Sequence, residues 1–362
     1  MNPMFHLGWD AALDAAFAPH AAAGLVPARV LEPRRDGCLV ATSTGETIAH
    51  ISGRAFHEAA SPSAHPAAGD FVALELLPHG AARIRAVLPR RSAMLRRAAG
   101  RSKREAFREV DVEAIVANVD FVLVLTSLNL DFSPRRIERY IAQIWEGGAQ
   151  PVAVLTKADT SDDPEARCRA VEEVAPGVPV HAISAIRGDG VDALQAYLAP
   201  GKTSALVGSS GVGKSTLVNA LLGTDAQMVR DIRGHDQTGV HTTTSRRLFV
   251  LPGRGCLIDT PGMRELGVFG AEDGLDATFA DVADLAPRCR FRDCTHDTEP
   301  GCAVLGAVAA GDLPDERLAS FRQLKREMRF AAGKERKRER ALRKGQSVVR
   351  RAKAAPEPDD AG

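Results

Sequence analysis

The sequence predicts an α/β protein in which a parallel sheet domain is preceded by a small β-barrel and followed by a mainly helical, metal-binding domain. Strands alternate with helices between residues 114 and 280, which is typical of a parallel sheet covered on both faces. Short β-rich runs precede this region, and three cysteines crowd between Cys289 and Cys302 behind it. We predict six segments: an N-terminal extension (1–24), the barrel (25–95), a basic linker (96–113), the sheet domain (114–280), the metal-binding domain (281–333) and a basic, disordered tail (334–362).

Composition excludes the membrane and secreted classes of protein. Hydrophobic residues make up 44% and charged residues 26% of the 362 residues, ordinary values for a folded soluble chain. No apolar run reaches the ~18–20 residues of a membrane span, and the N-terminus lacks the layout of a signal peptide. Six cysteines are too few for a disulfide scaffold. We therefore expect a cytoplasmic protein without a membrane partner, and we take it to be a monomer.

Two concentrated basic stretches lie outside the sheet domain. Between Arg83 and Arg108 there are ten Arg and Lys residues against one Glu, a net charge of +9. Between Arg322 and Lys353 there are 14 against three Glu, a net charge of +11, although the whole chain carries +1. Such stretches predict an anionic partner, first of all nucleic acid. A solvated linker and a frayed tail are the alternative.

The barrel is predicted from short β-rich runs that Gly, Pro and Asp-Gly turn signals separate. The clearest runs are Ala28–Val30, Cys38–Ala41, Glu46–Ile51 and Phe71–Leu77. About five strands in roughly 65 residues are typical of the oligonucleotide-binding barrel. An SH3-like barrel would leave nearly the same pattern.

The sheet domain is predicted from apolar strands and helices that alternate along the chain. The predicted strands are Phe121–Leu125, Pro151–Leu155, Val180–Ile183, Thr203–Val207 and Cys256–Ile258. The predicted helices are Pro134–Trp145, Glu165–Val174, Val191–Leu198 and Lys214–Leu222.

A glycine-rich sequence between the strand Thr203–Val207 and the next helix predicts a phosphate-binding loop (208–215), hereafter the phosphate loop. Backbone N–H groups of such a loop surround a β-phosphate, and the helix N-terminus adds positive potential. Lys214 would neutralise β- and γ-phosphate oxygens during catalysis, and the Ser215 hydroxyl would bind Mg²⁺. The predicted nucleotide-binding residues here are Gly208, Ser209, Ser210, Gly211, Val212, Gly213, Lys214, Ser215 and Thr216.

An acidic turn behind another strand is the expected partner of the phosphate loop. Its residues, 259–262, read Asp-Thr-Pro-Gly and begin 44 residues after Ser215. Asp259 would hold Mg²⁺ through water, and the N–H of Gly262 would contact the γ-phosphate.

Two further loops predict that the base is guanine. The strand Val152–Leu155 is followed by Thr156, Lys157, Ala158 and Asp159, which resemble the Asn-Lys-x-Asp tetrad of GTPases. Asp159 would accept hydrogen bonds from guanine N1 and N2, which adenine cannot offer, while the stem of Lys157 stacks on the ring. Thr156 stands where Asn is usual, and we expect this departure to weaken a supporting contact between loops. The next strand ends at Ser184 and Ala185, which look like the Ser-Ala loop that touches the base.

The order of these motifs resembles that of a circularly permuted GTPase. The base tetrad and the Ser-Ala loop come first in the chain, whereas GTPases usually begin with the phosphate loop. The same sheet can still form, because the termini of a domain tend to lie close together. The second switch, which in this chain begins with the acidic turn (259–262), then leads directly into the C-terminal domain.

The water-activating residue is not where many GTPases carry it. Met263 follows the Asp-Thr-Pro-Gly turn, in place of a glutamine that orients water. His241, in the candidate switch segment Gly234–Thr244, is our candidate for this role, and a flexible loop residue without a role is the alternative. Thr243 is our choice for the switch threonine on Mg²⁺, with Thr242 and Thr244 as close rivals.

Three cysteines and one histidine predict a zinc site. Cys289, Cys294, His296 and Cys302 supply three thiolates and an imidazole within 14 residues. This ligand set suits a closed, tetrahedral, structural Zn²⁺ site, one per chain. Buried free cysteines beside a surface histidine are the alternative.

The permuted motifs, the preceding barrel and the Cys-x4-Cys-x-His-x5-Cys spacing together resemble the ribosome-small-subunit-dependent GTPase A family (RsgA). The Gly-x-His-Thr-Thr-Thr string (239–244) and the Pro-Gly-Cys stretch (300–302) agree, and the resemblance covers about residues 25–330. It implies an oligonucleotide-binding barrel, a permuted G domain and a zinc domain. It further implies hydrolysis of GTP to GDP, stimulated by the small (30S) ribosomal subunit with its 16S rRNA, in late maturation of that subunit.

Two functions remain open from the residues. The first is a GTPase that acts on ribosomal RNA, and the second is a GTP-dependent switch for a protein partner whose basic segments only solubilise it. An enzyme that uses ATP is a remote third. The salt dependence of binding to small-subunit RNA separates the first two, because phosphate contacts make binding fall steeply with salt.

Overall fold

The computed structural model describes residues 4–51, 65–97, 112–129, 132–222, 246–260 and 272–330, and it confirms the predicted fold class. Along this described part of the chain a closed barrel, a β-ribbon and an open sheet follow one another. Helices around a Cys/His cluster come last.

The barrel has the strand order of the oligonucleotide-binding fold. Its strands are β1 (Val26–Arg34), β2 (Gly37–Thr42), β3 (Gly45–Ile51), β4 (Phe71–Leu76) and β5 (Ala82–Val87). The order β1-β2-β3-β5-β4 closes on itself because β4 pairs with β1, and β3 runs parallel to β5. This connectivity selects the oligonucleotide-binding barrel over the SH3-like alternative.

The residues that precede the barrel pack into the core. A 3-10 turn (Phe5–Leu7) leads to helix α1 (Ala11–Ala22), which begins where the Asp10 carboxylate accepts the N–H of Leu13 at 3.0 Å. Trp9 is buried and meets the rings of Phe17 and Phe71 edge to face. The predicted extension therefore packs into the core that the barrel shares with the sheet.

A short ribbon connects the barrel to the sheet. Its strands β6 (Ala93–Arg97) and β7 (Val112–Ala117) pair antiparallel, and Val116 bridges to Ala68 of the barrel region. The two ends of the predicted basic linker are thus strands, and residues 98–111 lie outside the described residues.

The sheet carries six described strands in the order β10-β9-β8-β11-β13-β12. They are β8 (Phe121–Ser127), β9 (Gln150–Thr156), β10 (Val180–Ala182), β11 (Thr203–Gly208), β12 (Arg247–Val250) and β13 (Cys256–Asp259). All are parallel except β12, which pairs antiparallel with β13 at one edge. A turn of five residues joins these two strands, which is too short for a parallel crossover.

Helices cover the sheet much as the alternation predicts. They are α2 (Pro134–Glu146), α3 (Pro164–Val174) and α4 (Lys214–Leu222), with a 3-10 helix at Val191–Leu198 where a helix is predicted. Proline occupies the first turn of both α2 and α3. N–H groups in the first turn have no partner within the helix, so the missing N–H of proline costs no hydrogen bond there.

The chain continues from the sheet into a helical domain. Its helices are α5 (Glu272–Thr278), α6 (Ala280–Leu285), α7 (Ala303–Ala310) and α8 (315–330). They share an apolar core with the half-buried cysteines Cys289 and Cys294. No helix in the described part of the chain is long and apolar enough to cross a membrane.

Candidate functional site

The predicted motifs meet at one edge of the sheet. Strands β9, β10, β11 and β13 are parallel, and each is followed by one of the motifs: the base tetrad, the Ser-Ala loop, the phosphate loop and the acidic turn. The carboxyl ends of parallel strands form the usual ligand-binding edge of an open α/β sheet. The permuted order of the motifs along the chain therefore does not separate them in space.

The phosphate loop depends on glycine where it leaves β11. Gly208 has φ +153°, and a Cβ there would lie 2.6 Å from the carbonyl oxygen of Leu125 on the neighbouring strand. A larger residue would push the loop away from the sheet. The loop ends where α4 begins, at Lys214.

Lys214 folds back across the loop. Its Nζ donates hydrogen bonds to the carbonyl oxygens of Gly208 at 2.6 Å and Ser209 at 2.9 Å. Burial lowers the pKa of Lys214, and the nearby charge of Asp259 opposes that shift. Asp259 at the end of β13 is thus electrostatically coupled to the loop lysine. The next residue, Thr260, donates its hydroxyl to Leu206 of β11 at 2.5 Å, which holds the start of the acidic turn beside the phosphate loop.

The base tetrad touches the phosphate loop directly. The hydroxyl of Thr156 donates to the carbonyl oxygen of Val212 at 2.6 Å, and the Nζ of Lys157 donates to that of Gly211 at 3.0 Å. Thr156 is buried, and Lys157 has a left-handed backbone with φ +58°. Thr156 makes a contact between the two loops itself, although Asn is usual there.

Asp159 and the Ser-Ala loop form one unit. A hydrogen bond with the Ser184 side chain lowers the pKa of the Asp159 carboxyl below its ordinary value. The backbone N–H of Ala158 donates to the carbonyl oxygen of Ile183 at 3.0 Å. Asp159 is therefore an ionised carboxylate at neutral pH, in the form that accepts two hydrogen bonds. Ala185 follows Ser184 and packs against the apolar core on this side of the sheet.

The Cys/His cluster has the dimensions of a tetrahedral metal site. One ligand atom from each of Cys289, Cys294, His296 and Cys302 lies within 4.8 Å of the others. The thiols of Cys289 and Cys302 are 3.8 Å apart, and His296 Nδ1 lies 3.6 Å and 3.5 Å from them. Tetrahedral zinc with bonds of ~2.3 Å to sulfur and ~2.0 Å to nitrogen gives edges of about 3.8 Å and 3.5 Å. The residues present therefore suit zinc.

The loop that carries these ligands is ordered by a carboxylate. Glu299 accepts hydrogen bonds from the Thr295 hydroxyl and from the backbone N–H groups of Thr295 at 2.7 Å and Asp297 at 2.8 Å, and these bonds lower its pKa to about 2. Cys302 precedes α7, where its thiol accepts the N–H of Leu305 at 3.4 Å.

Three predicted site residues, His241, Thr243 and Gly262, lie outside the described residues, with the whole candidate switch segment. Ser215 and Thr216 lie in the first turn of α4, and Ser210 lies in the phosphate loop.

Two polar residues beside the site were not singled out from the sequence. Ser127 ends β8 and donates its hydroxyl to Asn129 Oδ1 at 2.8 Å, and both line a cavity next to the phosphate loop. The sequence pattern that could have identified Ser127 and Asn129 is that of polar residues directly after a buried strand.

This fold and this arrangement of loops define a circularly permuted GTPase with an N-terminal oligonucleotide-binding barrel and a C-terminal Cys/His cluster. The profile of the RsgA GTPase family matches residues 87–269. The chain belongs to this family, which confirms the resemblance seen in the sequence.

Curated relatives match most of the chain. It is 47% identical to the small ribosomal subunit biogenesis GTPase RsgA of Streptomyces coelicolor, over 92% of this chain and 89% of the relative. It is 46% identical to RsgA 2 of Lactiplantibacillus plantarum, which carries the same description, over 88% of each chain.

Solved structures share the fold. YjeQ from Thermotoga maritima aligns with a TM-score of 0.63 and 25% identity, over 84% of this chain and 98% of that one. YloQ, described as a circularly permuted GTPase, aligns with a TM-score of 0.59 and 23% identity, over 84% and 95% of the two chains.

Proposed function

We propose that this protein binds the small ribosomal subunit and acts in its biogenesis, hydrolysing GTP to GDP and phosphate with stimulation by the subunit. The observation that supports this most strongly is the direct contact of the base tetrad with the phosphate loop, through Thr156 and Lys157. This contact supports the proposed roles of Asp159 in recognising guanine and of residues 208–215 in binding phosphates, because both follow strands at the same edge of the sheet. The relatives described as small ribosomal subunit biogenesis GTPases supply the biological context.

Each residue of the site has its own proposed role in nucleotide binding. Asp159 accepts N1 and N2 of guanine, and Ala185 contributes to the base loop. The phosphate loop surrounds the phosphates, and Lys214 moves its charge from the loop carbonyls to the β- and γ-phosphate oxygens. Ser215 and Thr243 would hold Mg²⁺, which neutralises charge on those oxygens, while Asp259 orients its water and Gly262 contacts the γ-phosphate.

Slow intrinsic hydrolysis follows from the residue after the acidic turn. Met263 has no group that can orient a water molecule, so this role passes to His241. His241→Ala should leave GTP binding intact and abolish most of the stimulation by small subunits. An unchanged stimulated rate would overturn the role of His241.

Zinc in the Cys/His cluster has a structural role in this proposal. Cys289, Cys294, His296 and Cys302 would fill its tetrahedral coordination, which leaves no open position for catalysis. The metal would stabilise the loop between Cys289 and Cys302.

The RNA of the subunit, 16S rRNA, is the proposed partner of the basic stretches. The protein would act in the cytoplasm as a monomer, with its positive charge concentrated at Arg83–Arg108 and Arg322–Lys353. Neutralised phosphates then make the affinity strongly dependent on salt.

The test is GTP turnover with and without purified small subunits, combined with subunit binding over a range of salt concentrations. We expect stimulated turnover and a steep salt slope, and deletion of the chain after Lys334 should flatten that slope without changing intrinsic turnover. Stimulation by a protein fraction instead, with binding indifferent to salt, would favour a switch for a protein partner.

A further inference from the structure

Strand β12 is a short edge strand that borders the acidic turn. Its four residues pair with β13 within the described sheet, and Arg247 at its start lies opposite Asp259 at the end of β13. An edge strand has a neighbour on one side only, so its side chains contribute much of what holds it in place. Leu248 does so by packing into the core that the barrel shares with the sheet. The position of β12 thus affects the position of Asp259.

The residue before β12 is anchored to the ribbon that follows the barrel. Arg246 Nη2 donates to Glu113 Oε1 of β7 at 3.2 Å, across 133 residues of the sequence. The two side chains are 18% and 30% exposed, so solvent screens this ion pair less than a fully exposed one. Burial lowers the pKa of Arg246, and the charge of Glu113 opposes that shift. Without Glu113, the half-buried guanidinium would lose the carboxylate that compensates its charge.

Glu113 also serves the ribbon itself. Its Oε1 accepts the Nε–H of Arg96, which is its register partner on β6. One carboxylate oxygen therefore binds an arginine of the ribbon and an arginine beside the sheet. The barrel carries a comparable carboxylate, since Glu75 Oε2 pairs with Arg83 at 3.4 Å and with Arg85 at 3.8 Å. Both of these arginines belong to β5, so Glu75 joins neighbouring strands of the barrel, whereas Glu113 joins distant parts of the chain.

We propose that Glu113 is a positioning residue for GTP hydrolysis: through Arg246 it sets where β12 begins, and hence where β13 places Asp259. This inference rests on the proposed role of Asp259, which is to orient water on Mg²⁺. The base tetrad and the phosphate loop follow other strands, β9 and β11. Loss of Glu113 should therefore impair the use of Mg²⁺ and slow turnover, while the binding of the base and the β-phosphate is unaffected.

The experiment follows the full chain over a range of Mg²⁺ concentrations, by binding of a non-hydrolysable GTP analogue and by GTP turnover without ribosomal subunits. Glu113→Gln should raise the Mg²⁺ concentration that half-maximally enhances analogue binding several-fold, and it should lower kcat roughly tenfold, because small displacements at a reacting centre are costly. The affinity for GDP with no Mg²⁺ added should stay unchanged. Glu75→Gln is the control and should match the wild type in all three measurements.

Variants of Arg246 test the route of the effect. Arg246→Gln should reproduce the defect of Glu113→Gln. The double variant should be no worse than the more severe single variant, because both substitutions remove the same ion pair. Arg246→Lys should stay close to the wild type, since the pair uses one guanidinium nitrogen, which an ammonium group can replace.

Several results would overturn the inference. They are Glu113→Gln that behaves like Glu75→Gln, additive losses in the double variant, a loss in Arg246→Lys as large as in Arg246→Gln, and weaker binding of GDP without Mg²⁺. Asp259→Asn separates the inference from the role on which it rests. If Asp259→Asn keeps the wild-type Mg²⁺ requirement, that role and the inference fail together. If Asp259→Asn raises the requirement and Glu113→Gln does not, the inference alone fails.

Discussion

The pair formed by Asp159 and Ser184 illustrates how two loops meet at one carboxylate, which we propose recognises guanine. Each residue follows a different strand of the sheet, and the hydrogen bond between them lowers the pKa of the carboxyl group. Neither loop alone would fix the carboxylate in position. Base selectivity should therefore respond to Asp159 and be insensitive to pH near neutrality.

Asp159→Asn should change the base preference from guanine to xanthine. The amide can no longer accept two hydrogen bonds from N1 and N2, and hydrogen bonds to charged groups contribute about 1.5–3 kcal/mol. GTP affinity should fall roughly 10- to 150-fold, while xanthosine triphosphate binds more tightly than before. Competition with a fluorescent guanine nucleotide measures both. Asp162→Asn, in the exposed loop that follows, is the matched control and should change neither.

The pH dependence of this recognition has a definite sign. The pKa of Asp159 is lowered, so its carboxyl group is ionised at neutral pH. It becomes protonated only when the pH falls through the lowered pKa. The affinity ratio of GTP to xanthosine triphosphate should be constant between pH 6 and 8. A ratio that changes tenfold over this range would contradict the assignment.

At the scale of elements, a buried ion pair joins α8 to α2. The guanidinium of Arg317 donates to Glu138 at 3.0 Å and to Asp281 at 2.9 Å, and it also donates to the carbonyl oxygens of Val174 and Thr278. Its carbon lies 4.2 Å from the centre of the Phe279 ring. The helical domain is therefore fixed to the helix that borders the phosphate loop.

Arg317→Ala should destabilise the protein in a pH-dependent way. Burial raises the pKa of Glu138, and Arg317 opposes that shift. Without Arg317 the folded state holds the Glu138 proton more tightly than the unfolded state does. The free energy of unfolding is then largest at low pH and decreases as pH rises through the raised pKa. At neutral pH we expect a loss of about 3–5 kcal/mol.

Urea unfolding at pH 5 and pH 8 measures this effect. Adding Glu138→Gln to Arg317→Ala should remove the extra pH dependence, because no titrating group remains at the buried position. Arg139→Ala breaks the exposed pair with Glu327 between the same helices and should cost less than ~1 kcal/mol. Equal losses in Arg139→Ala and Arg317→Ala would refute the argument.

Loss of the metal should disrupt the loop between Cys289 and Cys302 and leave the nucleotide site intact. Cys294→Ala removes one of the four proposed zinc ligands, and small zinc sites supply the folding free energy of their own loops. We expect zinc content near zero and protease sensitivity between residues 289 and 302, with GTP affinity unchanged. Cys168→Ala, a half-buried thiol on α3, should retain one zinc per chain. Metal analysis that finds no zinc in wild-type protein purified without chelator would rule out the site.

At the scale of the whole molecule, Arg29 connects three parts of the chain. It is fully buried in the barrel strand β1 and donates to Gly69 at 3.2 Å, Asn118 at 3.1 Å and Thr203 at 2.9 Å, and also to the carbonyl oxygen of Leu7. Barrel, N-terminal segment and sheet therefore share one hydrogen-bonded centre, with the Phe71 ring packed against it.

Arg29→Met should loosen the barrel from the sheet. The change leaves buried acceptors without donors, at about 1–3 kcal/mol each, so we expect a loss of at least roughly 3 kcal/mol. Calorimetry should show the unfolding transition broaden or split. Arg34→Ala, which breaks an exposed pair with Glu32, should leave the transition unchanged. A single unshifted transition in Arg29→Met would disprove the role.

The sequence allowed prediction of features that are encoded locally. The phosphate loop, the base tetrad and the Cys/His cluster each need neighbouring residues at fixed spacings, so their patterns are visible before folding. Arg29 and Trp9 gave no such pattern, because their partners lie far along the chain and an isolated Arg or Trp is compatible with many positions. The antiparallel β12 was missed for a related reason, since its direction depends on the short turn to β13.

The hydrogen-bond partners of Arg29 are also synthesised at different times. Its partner Thr203 lies 174 residues further along the chain. At about 5–20 residues per second, synthesis of that interval takes roughly 10–35 seconds. Throughout this period the nascent barrel carries a guanidinium whose sheet partner does not yet exist. The barrel can acquire its strand order early, but its face toward the sheet becomes complete only when β11 has been made, so this early part of the chain waits for a strand that is synthesised much later.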